Sequence, residues 1–373
     1  MVKADAAFQG FVSTRYFASL DGIRCFCILA VLEHHTTDFH SILPMTTRGF
    51  LGVDMFFVLS GFLICNLLLQ EKQVHGGISL RKFYARRTLR IFPIYYGLLL
   101  ALCLVYGVVA QDANTGPQFF ALLPFYLTYT SNWIVPQAAN LALAWSLAAE
   151  EQFYVVWPTV EKLLKEKALL VVLAAFIALN QLVNFQIITP WLSEIGLPYE
   201  ELAILQATFT PICLGILLAH ALRARRVFRY VWRVLGSPRS PALTAGLLIL
   251  AINVPTEGVE GWPRLLVHVL MAVFLASCVV REQHCLKRLL TIALLKRIGM
   301  ISYGVYLYHM WVLHIVRTGV ERLSLPAFPG HEFLLVTLLT IGVADVSFRF
   351  YETPILKLRH RFSRLKAPQV SQT

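Results

Sequence analysis

Ten apolar runs, each near the length that a helix needs to cross a bilayer, follow one another along this 373-residue chain. A membrane-spanning helix requires about 20 residues. Charged residues make up only 14% of the chain, whereas soluble domains average about 25%. No sustained period-two alternation points to a β-barrel. We therefore predict an all-α, polytopic membrane bundle of about ten transmembrane helices. The predicted spans are 16–37, 49–70, 90–110, 140–158, 168–188, 202–221, 241–254, 263–280, 298–316 and 332–352.

The predicted organisation has three parts. Residues 1–15 form a cytoplasmic N-terminal segment, residues 16–352 the transmembrane domain, and residues 353–373 a basic cytoplasmic tail. The segment 119–133 is apolar and aromatic but too short to cross, so it is predicted to be re-entrant or interfacial. No linker, repeat or low-complexity tract divides the chain.

The net charge of +12 reflects topology rather than nucleic-acid binding. Most of the 33 Lys and Arg residues fall in alternate loops, as the positive-inside rule requires. This pattern predicts an integral membrane protein with both termini cytoplasmic and no nucleic-acid partner. The seven Cys residues have no paired spacing, so we predict neither disulfides nor a metal site.

Ionisable side chains inside the first apolar run are the strongest functional signal. Such groups are costly at membrane depth unless they are paired or face a watery cavity. Arg24 and His35 are eleven helical steps apart, so they share a face and lie about 16 Å apart along the axis. A guanidinium suits phosphate or carboxylate, and an imidazole suits proton transfer. Asp54 in the next span, or Glu33, is expected to orient the imidazole, and the alternative for Asp54 is a helix cap.

A second basic group lies where the third span begins. Arg87 and Arg90 share a helix face, and Arg86 precedes them. Two or three guanidiniums at a membrane mouth suit a polyanion such as the phosphates of coenzyme A. The alternative is ordinary topological charge that snorkels to the interface.

Two further spans carry ionisable groups. Glu150 and Glu151 interrupt the fourth predicted span, and they cannot both face lipid, so at least one is expected to meet a polar interior. The alternative is a structural salt bridge to an arginine. His309 lies in the middle of the ninth predicted span, where a substrate-binding role and a hydrogen-bonded core histidine are both open.

Five motifs in order resemble the acyltransferase 3 family of integral-membrane acyltransferases, from about Tyr16 to Glu352. They are LDGIR followed by His35, GFLGVDMFFVLSGFLI, RRTLRIFP, WSLAAEEQFYVVWP and ISYGVYLYH. The resemblance implies a ten-helix fold that transfers an acyl group, often acetyl, from acyl-coenzyme A to a hydroxyl, mostly of a sugar. Acceptors in the family include O-antigen, exopolysaccharide, nodulation lipo-oligosaccharides and peptidoglycan.

The resemblance also assigns roles by motif. It implies that Arg24 and His35 are the essential pair and that Arg87 and Arg90 hold the coenzyme. His34 beside His35 departs from the family pattern and leaves two candidate bases, of which the spacing favours His35. Some members carry a further soluble hydrolase-like domain, and we expect acceptor delivery here to work without one.

The expected reaction is base-assisted acyl transfer. His35 would deprotonate the acceptor hydroxyl, which attacks the thioester of acetyl-CoA, and an acyl-histidine intermediate remains open. The expected partners are membrane lipid and a carbohydrate or glycolipid acceptor, and acyl transfer to a non-carbohydrate acceptor is an alternative. The resemblance also implies a location in the bacterial inner membrane. A proton-coupled carrier is the rival class, because it would also need buried Arg, His and Glu, although no repeat relates the two halves of the chain.

Overall fold

The computed structural model describes residues 2–36, 44–109, 115–133, 141, 143–195, 209–254, 259–324 and 330–362. All regular elements in these ranges are helical, as predicted. The α-helices are α1 (Val2–Ser13), α2 (Ala18–Thr36), α3 (Leu51–His75), α4 (Leu80–Leu104), α5 (Thr115–Leu127), α6 (Ala144–Leu163), α7 (Glu166–Asn184), α8 (Thr189–Glu194), α9 (Phe209–Arg223), α10 (Arg225–Leu235), α11 (Ser240–Asn253), α12 (Trp262–Val280), α13 (Lys287–Leu290), α14 (Ala293–Met300), α15 (Ser302–Arg322), α16 (His331–Ser347) and α17 (Thr353–Lys357).

Short π or 3-10 segments extend or connect some of these helices. They are Pro44–Arg48, Val105–Val109, Ser131–Trp133, Phe348–Glu352 and Leu358–Phe362.

Five helical stretches in the described ranges are long and apolar enough to cross a membrane. They are Leu51–His75, Leu80–Val108, Glu166–Asn184, Trp262–Val280 and His331–Phe362. A sixth candidate consists of α10 and α11, which meet at an angle of 79°. The chain therefore has the helices of an integral membrane protein.

The predicted total of about ten spans is not confirmed. Helices α2 and α6 occupy two predicted spans, but each contains more than two charged side chains. Helix α11 has only 14 residues, and the span predicted at 202–221 is described only from residue 209 onward. Helices α2 and α6 fail as simple apolar spans because they carry charged side chains, several of which are buried inside the protein, where hydropathy no longer reports on lipid contact.

A glycine contact joins α3 and α9 at the centre of the bundle. A Cβ atom added at Gly61 would lie 2.2 Å from the carbonyl oxygen of Ile212, and one at Gly215 would lie 2.2 Å from that of Val58. Small residues let membrane helices approach until their backbones touch. Gly61 and Gly215 therefore permit the close approach of α3 and α9.

Replacing Gly61 by alanine is expected to destabilise this contact. The added methyl group meets backbone rather than a movable side chain, and overpacking of this kind costs about 1–3 kcal/mol. Thermal unfolding of the purified protein in detergent measures the loss. Gly246→Ala is the control, because no other element of the described structure lies within 4 Å of its added Cβ. Equal stability of the two variants would contradict the close contact.

The short apolar helix α5 ends against the middle of α4. The hydroxyls of Tyr95 and Tyr96 each donate a hydrogen bond of 2.8 Å, to the carbonyl oxygens of Tyr126 and Leu127 respectively. Helix α5 has 13 residues, too few to cross a bilayer. These contacts hold the end of α5 against α4, and the re-entrant and interfacial alternatives both remain predictions.

The predicted N-terminal segment folds as α1, which packs on α10 and α12. Asp5 of α1 accepts hydrogen bonds from Arg229 at 2.9 Å and Arg225 at 3.0 Å, and these arginines hold the pKa of Asp5 below its usual range. Phe8 of α1 meets the ring of Phe228 edge-on. Residues 363–373 of the predicted tail lie outside the described residues.

Candidate active site

A cavity of about 210 Å³ brings together predicted site residues from three helices. Arg24 of α2, Arg87 and Arg90 of α4 and Glu150 of α6 all line it, together with tyrosines of α6 and α15. Among them, Arg24 and Glu150 lie 126 positions apart in the sequence. The cavity therefore combines a strongly basic wall with one carboxylate.

Arg24 is held in place by a short chain of polar contacts. Asp21, one helical turn earlier, accepts a hydrogen bond of 3.2 Å from the Arg24 guanidinium. Asp21 also accepts a hydrogen bond from the Tyr16 hydroxyl, and its side chain is 5% exposed. Because one edge of the guanidinium is fixed in this way, its remaining N–H groups are available to the cavity.

Arg87 and Arg90 have no carboxylate partner within the described part of the chain. Arg87 lies over the ring of Tyr154, with its guanidinium carbon 4.4 Å from the ring centroid. Arg90 forms no hydrogen bond or ion pair among the described residues. Guanidiniums that face a cavity without a direct ion pair are suited to bind an anionic ligand.

The segment that follows the last long helix adds another arginine to this region. The turn Leu358–Phe362 packs on α4, where Arg359 interacts electrostatically with Arg86, Arg87 and Arg90. No local sequence signal predicted this contact, because Arg359 resembles an ordinary charge in a basic tail. The mouth of the cavity therefore collects more positive charge than the motifs predicted.

Arg86 has a different position from its two neighbours. It donates a hydrogen bond of 2.8 Å to the carbonyl oxygen of Phe362 and pairs with Glu71 at 3.4 Å. It does not line the cavity. The structure thus separates Arg86, which ties the C-terminal turn to α4, from Arg87 and Arg90.

The paired glutamates also separate. Glu150 lines the cavity and accepts hydrogen bonds from Ser60 and Tyr154, whereas Glu151 is buried and does not line it. Consecutive helical positions differ by about 100°, so the two carboxylates cannot share one face. Neither glutamate forms, in the described part of the chain, the salt bridge to an arginine that was the alternative to a polar interior.

His35 lies at the far end of α2 from Arg24, as the spacing predicted. Its Nδ1 atom is 2.9 Å from the carbonyl oxygen of Val31. A carbonyl can only accept a hydrogen bond, so Nδ1 carries the proton and Nε2 presents the lone pair. This arrangement fixes a tautomer that can act as a base at Nε2.

His309 forms a pair with His35. The two ring centroids are 4.9 Å apart, and Nδ1 of His309 lies 2.6 Å from the carbonyl oxygen of Tyr306. The same argument places the lone pair of His309 on Nε2, which is buried and has no hydrogen-bond partner in the described part of the structure. His34 packs on the other side, 5.2 Å from the ring of His35.

The predicted pair between Asp54 and His35 is not formed. Asp54 instead pairs with Arg264 at 3.1 Å and lies 2.9 Å from Nε2 of His268. Asp54 and His268 are each 1% exposed. Arg264 and His268 are one helical turn apart in an apolar stretch of α12, and this spacing was the overlooked signal for the contact.

Glu33 cannot orient His35 either. Two steps along a helix rotate a side chain by about 200°, so Glu33 projects from the opposite side of α2. The carbonyl oxygen of Val31 makes the contact that was expected from an acidic residue. The backbone of α2 itself therefore orients the imidazole.

Removing the Asp54 carboxylate is expected to cost about 3–5 kcal/mol of stability, because Arg264 and His268 would lose their buried partner. Thermal unfolding of Asp54→Ala measures this loss. Glu282→Gln is the control, since Glu282 is 79% exposed and pairs only with Lys287 at the surface. A loss for Asp54→Ala no larger than that of the control would contradict the buried network.

The cavity ends at a hydrogen-bonded pair of side chains. Ser146 and Tyr306 line the cavity, and their hydroxyl oxygens are 2.6 Å apart. His309 contacts Tyr306 from behind, with ring centroids 5.5 Å apart, and neither His309 nor His35 lines the cavity. Tyr306 and Ser146 therefore separate the basic cavity from the histidine pair.

A group of possible metal ligands lies elsewhere in the described part of the chain. Ligand atoms of Cys65, Glu161 and His220 are all within 4.8 Å of one another, and all three residues are buried. His220 Nε2 is 3.0 Å and Lys72 Nζ 3.9 Å from the Glu161 carboxylate. Histidine and ammonium satisfy this carboxylate without an ion, so we assign the group as a polar network joining α3, α6 and α9.

Comparison with known proteins matches nearly the whole chain. A family model described as an acyltransferase domain covers residues 17–349. The peptidoglycan O-acetyltransferase OatA of Listeria monocytogenes is 27% identical over 92% of this chain and 56% of its own length. The putative peptidoglycan O-acetyltransferase YrhL of Bacillus subtilis is 29% identical over 91% and 55%, and a putative O-acetyltransferase of Staphylococcus aureus is 28% identical over 94% and 59%.

The chain thus spans little more than half the length of these relatives. No solved structure gives a significant match. The family match includes all five motifs, from the first to the last, with only the final residues of the resemblance beyond it. The chain belongs to the acyltransferase family that this domain defines.

Proposed function

We propose that this chain is a membrane O-acetyltransferase that moves an acetyl group from acetyl-CoA to a sugar hydroxyl in a cell-surface glycan. The observation that carries the proposal is the pairing of a basic cavity with a histidine pair behind it. The names of two relatives make peptidoglycan the first acceptor to test. O-antigen, exopolysaccharide and nodulation lipo-oligosaccharides are the other acceptors that the family resemblance allows.

The basic cavity is the proposed site of the donor. Its volume of about 210 Å³ is below the roughly 300–1,000 Å³ of pockets that enclose drug-sized ligands. It therefore holds the thioester end of acetyl-CoA, while the phosphates remain at the mouth. Arg87 and Arg90 bind these phosphates, with Arg359 beside them.

The proposed chemistry takes place at His35. Its Nε2 lone pair removes the proton of the acceptor hydroxyl, and the hydroxyl oxygen attacks the thioester carbonyl. The new C–O bond forms as the C–S bond breaks, and the imidazolium returns its proton to the departing coenzyme thiolate. Transfer through an acyl-imidazole would use the same lone pair as nucleophile.

In this proposal the acetyl group must pass Tyr306 to reach the histidine pair. The ring of Tyr306, whose hydroxyl is hydrogen-bonded to that of Ser146, closes the inner end of the donor cavity and limits the length of the acyl chain that fits. The proposed orientation puts the basic mouth on the cytoplasmic side of the inner membrane, with both termini, and His35 toward the acceptor on the opposite side.

Replacing Tyr306 by alanine is expected to raise the ratio of butyryl to acetyl transfer several-fold. The variant removes the ring but keeps the backbone carbonyl that binds His309. Transfer rates with butyryl-CoA and acetyl-CoA, measured side by side, give the ratio. Tyr308→Ala is the control, because Tyr308 binds Ser347 and does not line the cavity. An unchanged ratio in Tyr306→Ala would rule out the limiting role.

The proposed function is tested by the release of free coenzyme A from acetyl-CoA by the purified protein in detergent. Muropeptides and other surface-glycan fragments serve as acceptors, since both faces of the protein are then accessible. We expect coenzyme release that rises with acceptor concentration. Folded protein that binds acetyl-CoA but releases no coenzyme with any fragment would favour the proton-coupled carrier instead.

A further inference from the structure

Helix α10 packs one face against the rest of the protein and has two distinct exposed faces. At about 100° per residue, Phe228, Trp232 and Leu235 share the packed face. Val227, Tyr230 and Val234 form a stripe on another side and are 42%, 68% and 59% exposed. A tyrosine and two valines in one exposed stripe are an apolar surface that the described part of the protein leaves uncovered.

The second exposed face of α10 is basic. Arg226 and Arg233 lie within about 20° of each other around the helix, next to the apolar stripe. Both are exposed, and neither has a carboxylate partner in the described residues. Arg225 and Arg229 differ, because they bind Asp5 of α1 and fix the helix on its other side.

The angle between α10 and the next helix, α11, is the second observation. Helix α11 is apolar and follows after a short break, and the two helix axes differ by 79°. An α11 that runs along the bilayer normal, as the sequence predicts for residues 241–254, would place α10 nearly in the membrane plane. An amphipathic helix in that orientation buries its apolar side at the headgroup boundary and keeps its arginines among the headgroups.

We propose that α10 is an interfacial helix whose Val227–Tyr230–Val234 stripe enters the lipid surface while Arg226 and Arg233 bind anionic lipid headgroups. The partner is the lipid surface rather than a protein, because the stripe is narrow, lies shortly before the apolar helix α11 in the chain and is flanked by arginines that have no carboxylate partner among the described residues. This inference does not depend on the acyltransferase reaction.

Spin labels at single positions test the insertion of the stripe. Tyr230→Cys and Arg226→Cys are labelled in a Cys285→Ser background, since Cys285 is the exposed cysteine in the described chain. The protein is placed in vesicles of phosphatidylcholine and phosphatidylglycerol. We expect the label at 230 to be reached by oxygen and the label at 226 by a water-soluble nickel complex.

Two outcomes would overturn the insertion. Equal access of the nickel complex to both labels would place the whole helix in water. A label at 230 that neither reagent reaches would place a protein partner on the stripe instead of lipid.

The lipid preference is tested by measuring the unfolding temperature of the whole chain in vesicles of two compositions. Phosphatidylglycerol is expected to raise the unfolding temperature of the unsubstituted protein above its value in phosphatidylcholine alone. Arg226→Gln combined with Arg233→Gln should lose most of this increase. Arg288→Gln combined with Arg322→Gln removes the same charge from other exposed sites and should retain it. An equal loss in both double variants would reduce the effect to net charge and overturn headgroup binding by α10.

Discussion

Replacing His35 by alanine is expected to reduce acetyl transfer by about 10²–10⁴-fold, the range that a positioned general base contributes. The hydrogen bond from Nδ1 to the Val31 carbonyl leaves Nε2 as the basic atom, and the variant removes the lone pair of Nε2. Transfer to a glycan fragment by purified protein measures the loss. Donor binding should change little, since His35 does not line the basic cavity.

The neighbouring histidines provide matched controls for His35. His34→Ala should keep most of the activity, because His34 packs between His35 and Phe50, away from His309. His309→Ala should lose less than His35→Ala if His309 supports the base rather than being the base. A large loss of activity in His34→Ala with activity retained in His35→Ala would show that His34, and not His35, is the base.

Replacing Arg87 and Arg90 together by glutamine is expected to raise the KM for acetyl-CoA roughly ten- to a hundredfold or more. A hydrogen bond to a charged group contributes about 1.5–3 kcal/mol, and each 1.4 kcal/mol is a factor of ten. The turnover number should fall much less, because these contacts hold the donor before and during transfer alike. Initial rates over a range of acetyl-CoA concentrations separate the two parameters.

Arg86→Gln is the control for the donor site. Arg86 has the same charge and nearly the same position in the sequence, but it pairs with Glu71 outside the cavity. Its replacement should affect stability more than the KM for the donor. If Arg86→Gln raised the KM as much as the double variant, the effect would come from general surface charge and not from the cavity.

The sequence predicted the helical membrane class but not the number of simple spans. The rule that long apolar runs cross the bilayer holds for helices such as α3 and α12, which are both long and apolar. It is less informative for α2 and α6, because buried charges in them face other helices. Hydropathy describes the polarity of a side chain and not what that side chain contacts. It therefore cannot distinguish a helix inside the protein from one that faces lipid.

The site was predictable where the helix period alone determines a position. Arg24 and His35 do lie on one continuous helix, and Arg87 and Arg90 do face one cavity. The partner of Asp54 was not predictable in the same way, since Arg264 is 210 positions away and only packing of α3 on α12 brings it close. The closure of the cavity by Ser146 and Tyr306 likewise depends on tertiary contacts.

Mass spectrometry of surface glycans from cells tests the central claim most directly. The comparison uses cells that express the unsubstituted chain, the His35→Ala variant or neither, with both proteins present in the membrane at equal amounts. We predict one added acetyl group on a glycan, peptidoglycan first, only in cells with the unsubstituted chain. Acetylation that persists at the same level with His35→Ala, or its absence from every glycan in all three, would contradict the account.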